Sequence, residues 1–134
     1  MIDYKALMMQ ALEARKKSYS PYSHFCVGAA LLTKSGKVYL GCNVENAAYT
    51  PSNCAERTAI FKAVSEGERE FEAMAIVGGR AGEKGGFCAP CGVCRQVIAE
   101  FCDKDFEIVL GDAKDVEVYT LETLLPLAFT KSNL

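Results

Sequence analysis

Cys26-Val27-Gly28-Ala29-Ala30-Leu31-Leu32-Thr33, then Ser35-Gly36, then Val38-Tyr39-Leu40-Gly41-Cys42-Asn43-Val44 sets the architecture of this chain. Each flanking run is apolar and of strand length, and Ser-Gly is a turn dipeptide, so the stretch reads as a β-hairpin. Upstream, Tyr4, Leu7, Met8, Ala11 and Leu12 recur at three- and four-residue spacing, which predicts a helix from Ile2 to Lys17. Asp3 near its start and Arg15-Lys16-Lys17 near its end suit the helix dipole. Pro21 bars helical continuation, so Ser18 to Ser23 is a loop.

Downstream of the hairpin, Glu45 to Pro51 is irregular. Ser52 or Asn53 is expected to cap a helix running from about Cys54 to Ser65, with Gly67 ending it. Phe71 to Val77 reads as a strand, Gly78 to Pro90 as a glycine-rich loop, and Cys91 to Phe101 as a helix. Phe106 to Leu110 and Val116 to Tyr119 follow as strands, and Pro126 cuts off a short helix begun at Leu121. Helices that alternate with strands cover a sheet on both faces. The expected fold is therefore α/β: a three-layer α/β/α sandwich with a five-stranded mixed sheet. The hairpin lies at one side, with crossover-linked strands beyond it. One domain over 1–134 is expected from the length.

Hydrophobic residues at 50% and charged residues at 24% fit an ordinary soluble globular protein. The net charge of −2 shows no basic excess, which argues against a nucleic-acid partner. No apolar stretch is long enough for a membrane span. The N-terminus lacks a basic segment followed by an apolar block, so a cytoplasmic location is expected. Seven cysteines, at 26, 42, 54, 88, 91, 94 and 102, cannot all pair within one chain. In a reducing compartment they read as thiols and metal ligands.

Two cysteine motifs carry the chemistry: Cys54-Ala55-Glu56 and Pro90-Cys91-Gly92-Val93-Cys94. Cys54, Cys91 and Cys94 offer three thiolates, enough to hold a zinc ion and leave its fourth position open to water. A three-residue offset puts Cys91 and Cys94 on one helical face. Both motifs fall at expected helix N-termini, where the dipole favours thiolate over thiol. Glu56 is the candidate proton carrier for the attacking water. Three thiolates leave the zinc site formally negative, which weakens its acidity. Hydrogen bonds from Arg57 and Arg95 to the ligand sulfurs would withdraw that charge. Asn43 and Glu45, two apart at a strand end, face the same side and match a pair of hydroxyls.

Three plainer readings compete. A structural zinc is the default for a cysteine cluster, but a fourth ligand is missing and Glu56 is present. Cys88, Cys91 and Cys94 also begin an iron–sulfur run, yet the expected fourth cysteine position holds Ile98. A non-catalytic zinc- or RNA-binding module sits poorly with Glu56 and the net negative charge. Cys88 forms a second Cys-x-x-Cys with Cys91 and competes as a ligand. It lies outside the helix turn, so Cys91 and Cys94 are retained.

The motifs extend over nearly the whole chain. Ser20-Pro21-Tyr22-Ser23-His24-Phe25, Val27 to Leu31, Gly41 to Tyr49, Cys54 to Ala59, Pro90 to Gln96 and Leu124-Leu125-Pro126 resemble the small, tetrameric cytidine deaminases. Gly85-Gly86-Phe87-Cys88 is an addition to that pattern. The Cys-x-Glu and Pro-Cys-x-x-Cys pair is the general signature of zinc nucleobase deaminases. The resemblance implies hydrolytic deamination of cytidine and deoxycytidine, in pyrimidine salvage, with one Zn2+ per subunit. It implies Cys54, Cys91 and Cys94 as zinc ligands and Glu56 as the catalytic acid–base. Phe25 would stack on the pyrimidine, Asn43 and Glu45 would hold the ribose, and the Ala55 backbone would meet the pyrimidine edge. Tyr49 and Phe129 would reach a neighbouring subunit's site in a homotetramer. A relative acting on another cytosine nucleoside, such as blasticidin S, is the alternative enzyme.

Overall fold

The computed structural model describes residues 1–134. Five strands form one sheet in the order β2-β1-β3-β4-β5. β1 (Phe25–Thr33) pairs antiparallel with the edge strand β2 (Val38–Cys42) on one side and the central β3 (Phe71–Arg80) on the other. β3 runs parallel to β4 (Glu107–Gly111), and β5 (Val116–Thr120) returns antiparallel to β4. Two crossovers build the sheet: α2 (Ala55–Ser65) carries the chain from β2 past β1 to β3, and α3 (Gly92–Phe101) carries it from β3 to its parallel neighbour β4.

Alternation along the strands splits the core into two layers. Leu7, Met8 and Ala11 of α1 (Tyr4–Arg15) pack against Ala30, Ala73, Ala75, Val77 and Val109 on one face. On the other face, α2 (Ala55–Ser65), α3 and α4 (Leu121–Leu124) cover Ala29, Leu31, Met74, Ile76, Ile108 and Leu110. This is the expected α/β/α sandwich with its mixed five-stranded sheet.

Several boundaries differ from expectation. The first helix starts at Tyr4 because the Asp3 carboxylate accepts the Ala6 N–H as an N-cap. The second strand stops at Cys42, since Val44 bridges to Tyr19 and Asn53 instead of continuing the ladder. The third strand runs on to Arg80, so Gly78 and Gly79 are strand rather than loop. They pair with Val27 and Cys26, and β1 supplies the ladder that glycine propensity does not. The cap of the second helix is Cys54 itself. Ser52 accepts the Asn46 N–H, and Asn53 pairs through its backbone with Val44.

Close approach of helix to sheet rests on two missing side chains. A Cβ at Gly28 would lie 2.1 Å from the Ala11 carbonyl oxygen and 2.5 Å from the Arg15 nitrogen. A Cβ at Gly41 would lie 2.4 Å from the Ala55 carbonyl oxygen. Backbone atoms cannot step aside as side chains do. Gly28→Ala is expected to cost about 3 kcal/mol of unfolding free energy, the upper range for overpacking. Urea unfolding measures it, and a loss below about 1 kcal/mol would mean that α1 shifts freely.

Candidate metal centre and active site

Cys54 and Cys91 are the N-caps of α2 and α3, both in extended backbone conformation. Neither sulfur is therefore turned along its helix surface. The Cys54 and Cys91 sulfurs lie 3.9 Å apart, and those of Cys91 and Cys94 3.5 Å apart. The Sγ atoms of Cys54, Cys91 and Cys94 all fall within 4.8 Å of one another. Tetrahedral zinc–thiolate bonds put sulfurs about 3.8 Å apart, so the donor set fits zinc in both chemistry and spacing. Cys88 is not part of this cluster.

Charge in the cluster is arranged by its hydrogen bonds. The Cys54 thiol is pulled down to about 5, chiefly by the hydrogen bond from Cys94, with Arg57 adding to it. The neighbouring Cys54 and burial push the Cys94 thiol up. Arg57 Nη2 donates to Cys54 Sγ at 3.1 Å. Its Nε is the one buried side-chain nitrogen or oxygen without a hydrogen-bond acceptor. A guanidinium left partly unsatisfied beside three sulfurs suits a site of negative charge.

Arg95 behaves otherwise than expected. Its Nε donates to the Pro90 carbonyl and its Nη1 to the Leu124 carbonyl, both at 2.7 Å, and no ligand sulfur accepts from it. The side chain leaves the N-terminus of α3 and ties the Pro90–Cys91 approach to α4. It acts on the backbone leading into the motif, not on the charge of the sulfurs.

Glu56 stands at the second position of α2 and is only 4% exposed. It is the one charged side chain among the buried residues. Burial pushes its carboxyl up to about 7, with the Cys54 charge adding to the shift. Because Cys54 is a cap outside the helix, the 100° per residue of a regular helix does not separate the two side chains. The carboxyl also raises Cys88, whose thiol burial pushes to about 11.

The other candidate residues divide into two groups. Phe25 opens β1 with its ring half exposed, and Asn43 lies just past the end of β2. Asn43 Oδ1 accepts Ser18 Oγ–H at 2.5 Å and Val27 N–H at 2.9 Å, while Nδ2 donates to the Phe25 carbonyl at 2.8 Å. That fixes the amide orientation and leaves one amide N–H for a ligand. Glu45 Oε1 accepts the N–H groups of Tyr22 and Ser23 at 3.1 Å, and Oε2 accepts the Ser23 hydroxyl. The Ser23 hydroxyl holds this carboxyl below its ordinary range. Tyr22, Ser23, Glu45, Tyr49 and Ser52 line a cavity of about 290 Å³.

Ala55 is buried in the first turn of α2, where its N–H has no intrahelical acceptor. Tyr49 and Phe129 are 73% and 62% exposed. Tyr49 meets Tyr22 edge-on, and the Phe129 carbonyl accepts from Gln96. Sequence reading missed Gly78 and Ser18. A Cβ at Gly78 would lie 2.8 Å from Cys88 Sγ and 3.1 Å from Phe25 Cε2, so this glycine makes room for the Phe25 ring. The Gly-Gly pair was the available signal, but it reads equally as loop.

Comparison with known proteins bears on this geometry. Residues 1–110 match the family described as cytidine and deoxycytidylate deaminase zinc-binding region. The chain is similar to a cytidine deaminase of Sporosarcina psychrophila, 50% identical over 99% of this chain and 96% of the relative. It is also similar to one from Halalkalibacterium halodurans, 47% identical over 99% and 98% of the two chains. Among solved structures, a cytidine deaminase from Burkholderia pseudomallei superposes with a TM-score of 0.86 at 52% identity. That match covers 96% of this chain and 100% of the other.

Arg57→Ala is expected to weaken zinc retention about 10- to 100-fold, the usual effect of losing a group that hydrogen-bonds a ligand. Competition with a chromophoric chelator reads it directly. Retention equal to wild type would show that Arg57 does not offset the charge of the sulfurs.

Proposed function

The chain belongs to the cytidine and deoxycytidylate deaminase family as a zinc-binding enzyme that deaminates cytidine, and from that premise we propose how its residues do so. The reaction is hydrolytic: cytidine or 2′-deoxycytidine and water give uridine or 2′-deoxyuridine and ammonia. One catalytic domain over 1–134 serves pyrimidine salvage in the cytoplasm. Seven free cysteines suit a reducing compartment, and no helix is long and apolar enough to cross a membrane.

Cys54, Cys91 and Cys94 would hold one zinc ion per chain. Zinc supplies Lewis acidity, which brings an attacking water's proton loss toward neutral pH. Glu56 takes that proton, delivers it to ring N3 as oxygen adds at C4, and then serves the leaving amine. A carboxyl pushed up to about 7 holds and releases a proton with similar ease near neutrality. That buried carboxyl beside a trio of sulfurs is the observation that carries the reading. Phe25 stacks on the pyrimidine, and the Ala55 backbone meets its edge. The free amide N–H of Asn43 and the Glu45 carboxylate receive the ribose hydroxyls.

Four chains assemble, with Tyr49 and Phe129 each reaching a neighbour's site. The support is apolar surface without cover: Tyr49, Phe61, Phe87, Val93 and Phe129 are all exposed.

Glu56→Gln is expected to keep zinc and lose turnover by at least about 10²- to 10⁴-fold, followed by the fall in cytidine absorbance alongside metal analysis. An active glutamine variant would refute the proton-carrier role. For the assembly, sedimentation at micromolar protein should give four chain masses. Phe129→Ala should shift the distribution to smaller species. A wild-type monomer with full activity would remove the shared-site arrangement.

A further inference from the structure

β3 outruns its parallel neighbour. Its last residue paired with β4 is Ile76, yet the strand continues through Val77, Gly78, Gly79 and Arg80. Along this overhang it pairs with β1, Phe25 against Arg80 and Cys26 against Gly79. On its other side it has the Gly78–Gly86 bridge. The overhang carries the Phe25 platform: the Phe25 ring and Cys88 meet over Gly78 on the face covered by α2 and α3.

The opposite face of the overhang is fastened by one side chain. Arg15, the last residue of α1, sends Nε–H to the Cys26 carbonyl at 2.9 Å. Its Nη2 donates to the Gly79 carbonyl at 3.0 Å and the Arg80 carbonyl at 2.9 Å. One planar guanidinium thus spans both strands at the residues adjoining Phe25. The slot it occupies is cleared by glycine. A Cβ at Gly28 would fall 2.8 Å from Arg15 Cβ, one at Gly79 3.3 Å from Nη2, and one at Gly85 3.3 Å from Cδ. Alternation along a strand puts Gly79 and Gly78 on opposite faces, so Arg15 grips the back of the strand pair whose front bears the ring.

We propose that Arg15 is a positioning residue for substrate: it fixes the β1–β3 overhang and so sets the pose of the Phe25 platform. The proposal rests on the stacking role given to Phe25 above. It separates Arg15 from the chemistry, because Cys54, Glu56, Cys91 and Cys94 sit on α2, α3 and their caps. Losing the clamp should weaken binding of ground and transition states alike, which raises KM and spares kcat. A purely structural role would do the reverse. It would lower the folded fraction and the apparent kcat while leaving the KM of the folded molecules unchanged.

The test uses the zinc-loaded enzyme and the variants Arg15→Gln, Arg15→Lys, Phe25→Ala and Arg15→Gln with Phe25→Ala. Arg15→Gln should raise KM for cytidine about tenfold, with kcat within about twofold and zinc content unchanged. Arg15→Lys keeps the charge but has no planar fork to span two strands, so its KM stays raised. That variant carries the test if the glutamine variant does not fold. With the ring already gone, Arg15→Gln should add less than about twofold to the KM of Phe25→Ala, the non-additivity of groups acting through one contact. Wild-type KM in both Arg15 variants, or full multiplication of the two effects, would overturn the proposal while leaving stacking intact. Wild-type KM in Phe25→Ala would remove the stacking role and the proposal together.

Discussion

Two cysteines standing as helix N-caps are the constraint on which the rest of the site depends. An N-cap has extended backbone, so its side chain leaves the helix axis at an angle no interior position offers. Cys54 and Cys91 both take that geometry, and the starts of α2 and α3 converge until their sulfurs are 3.9 Å apart. Cys94 follows one turn into α3 and completes the trio. The same placement fixes Glu56, which enters the interior because α2 begins at Cys54. Arg57, one residue on, donates to the Cys54 sulfur. The candidate ligand, the proposed proton carrier and the cation beside them thus come from four consecutive residues at one helix start.

Holding two helix starts together requires a sheet that lets helices come close. Gly28 and Gly41 do this on opposite faces, each where a Cβ would strike helix backbone. Beyond the last β4 pairing, β3 offers a ledge at which strand ends and helix starts meet. Asn43 and Glu45 serve that ledge as well as any ligand. The amide of Asn43 ties Phe25 and Val27 to Ser18, and the carboxylate of Glu45 ties the loop at Tyr22 and Ser23. Groups so fully engaged are held before substrate arrives, which is what preorganisation means at the level of hydrogen bonds.

Much of this was legible in the residues. Helical spacing, turn dipeptides and glycine stops predict every α-helix and strand in order, because each signal is local, though not the closing 3-10 helix at Lys131–Asn133. Apart from the first helix start, set locally by the Asp3 cap, the misplacements share a physical cause, which is that a distant segment decided them. Gly78 and Gly79 are poor strand formers, yet β1 recruits them into the ladder. Ser52 and Asn53 are good caps, yet loop closure engages them and a cysteine takes the place. The cysteines were found by spacing, since chelation by Cys91 and Cys94 is itself a local relation. Arg95 was assigned by proximity in sequence, but a long side chain answers to the nearest carbonyls, here Pro90 and Leu124. Ser18 gave no signal, because the role of a lone hydroxyl depends wholly on what folds against it.

The Cys54 side chain caps none of the open backbone N–H groups of α2. Serine or aspartate at that place would satisfy an open N–H and strengthen the helix by about 1 kcal/mol. An apolar residue in place of Glu56 would likewise relieve a buried carboxyl. A designer who optimised this backbone for stability alone would therefore rewrite these two positions early and obtain a sturdier, inert sandwich. Read in reverse, the places where the chain declines the more stable residue mark where it does its work.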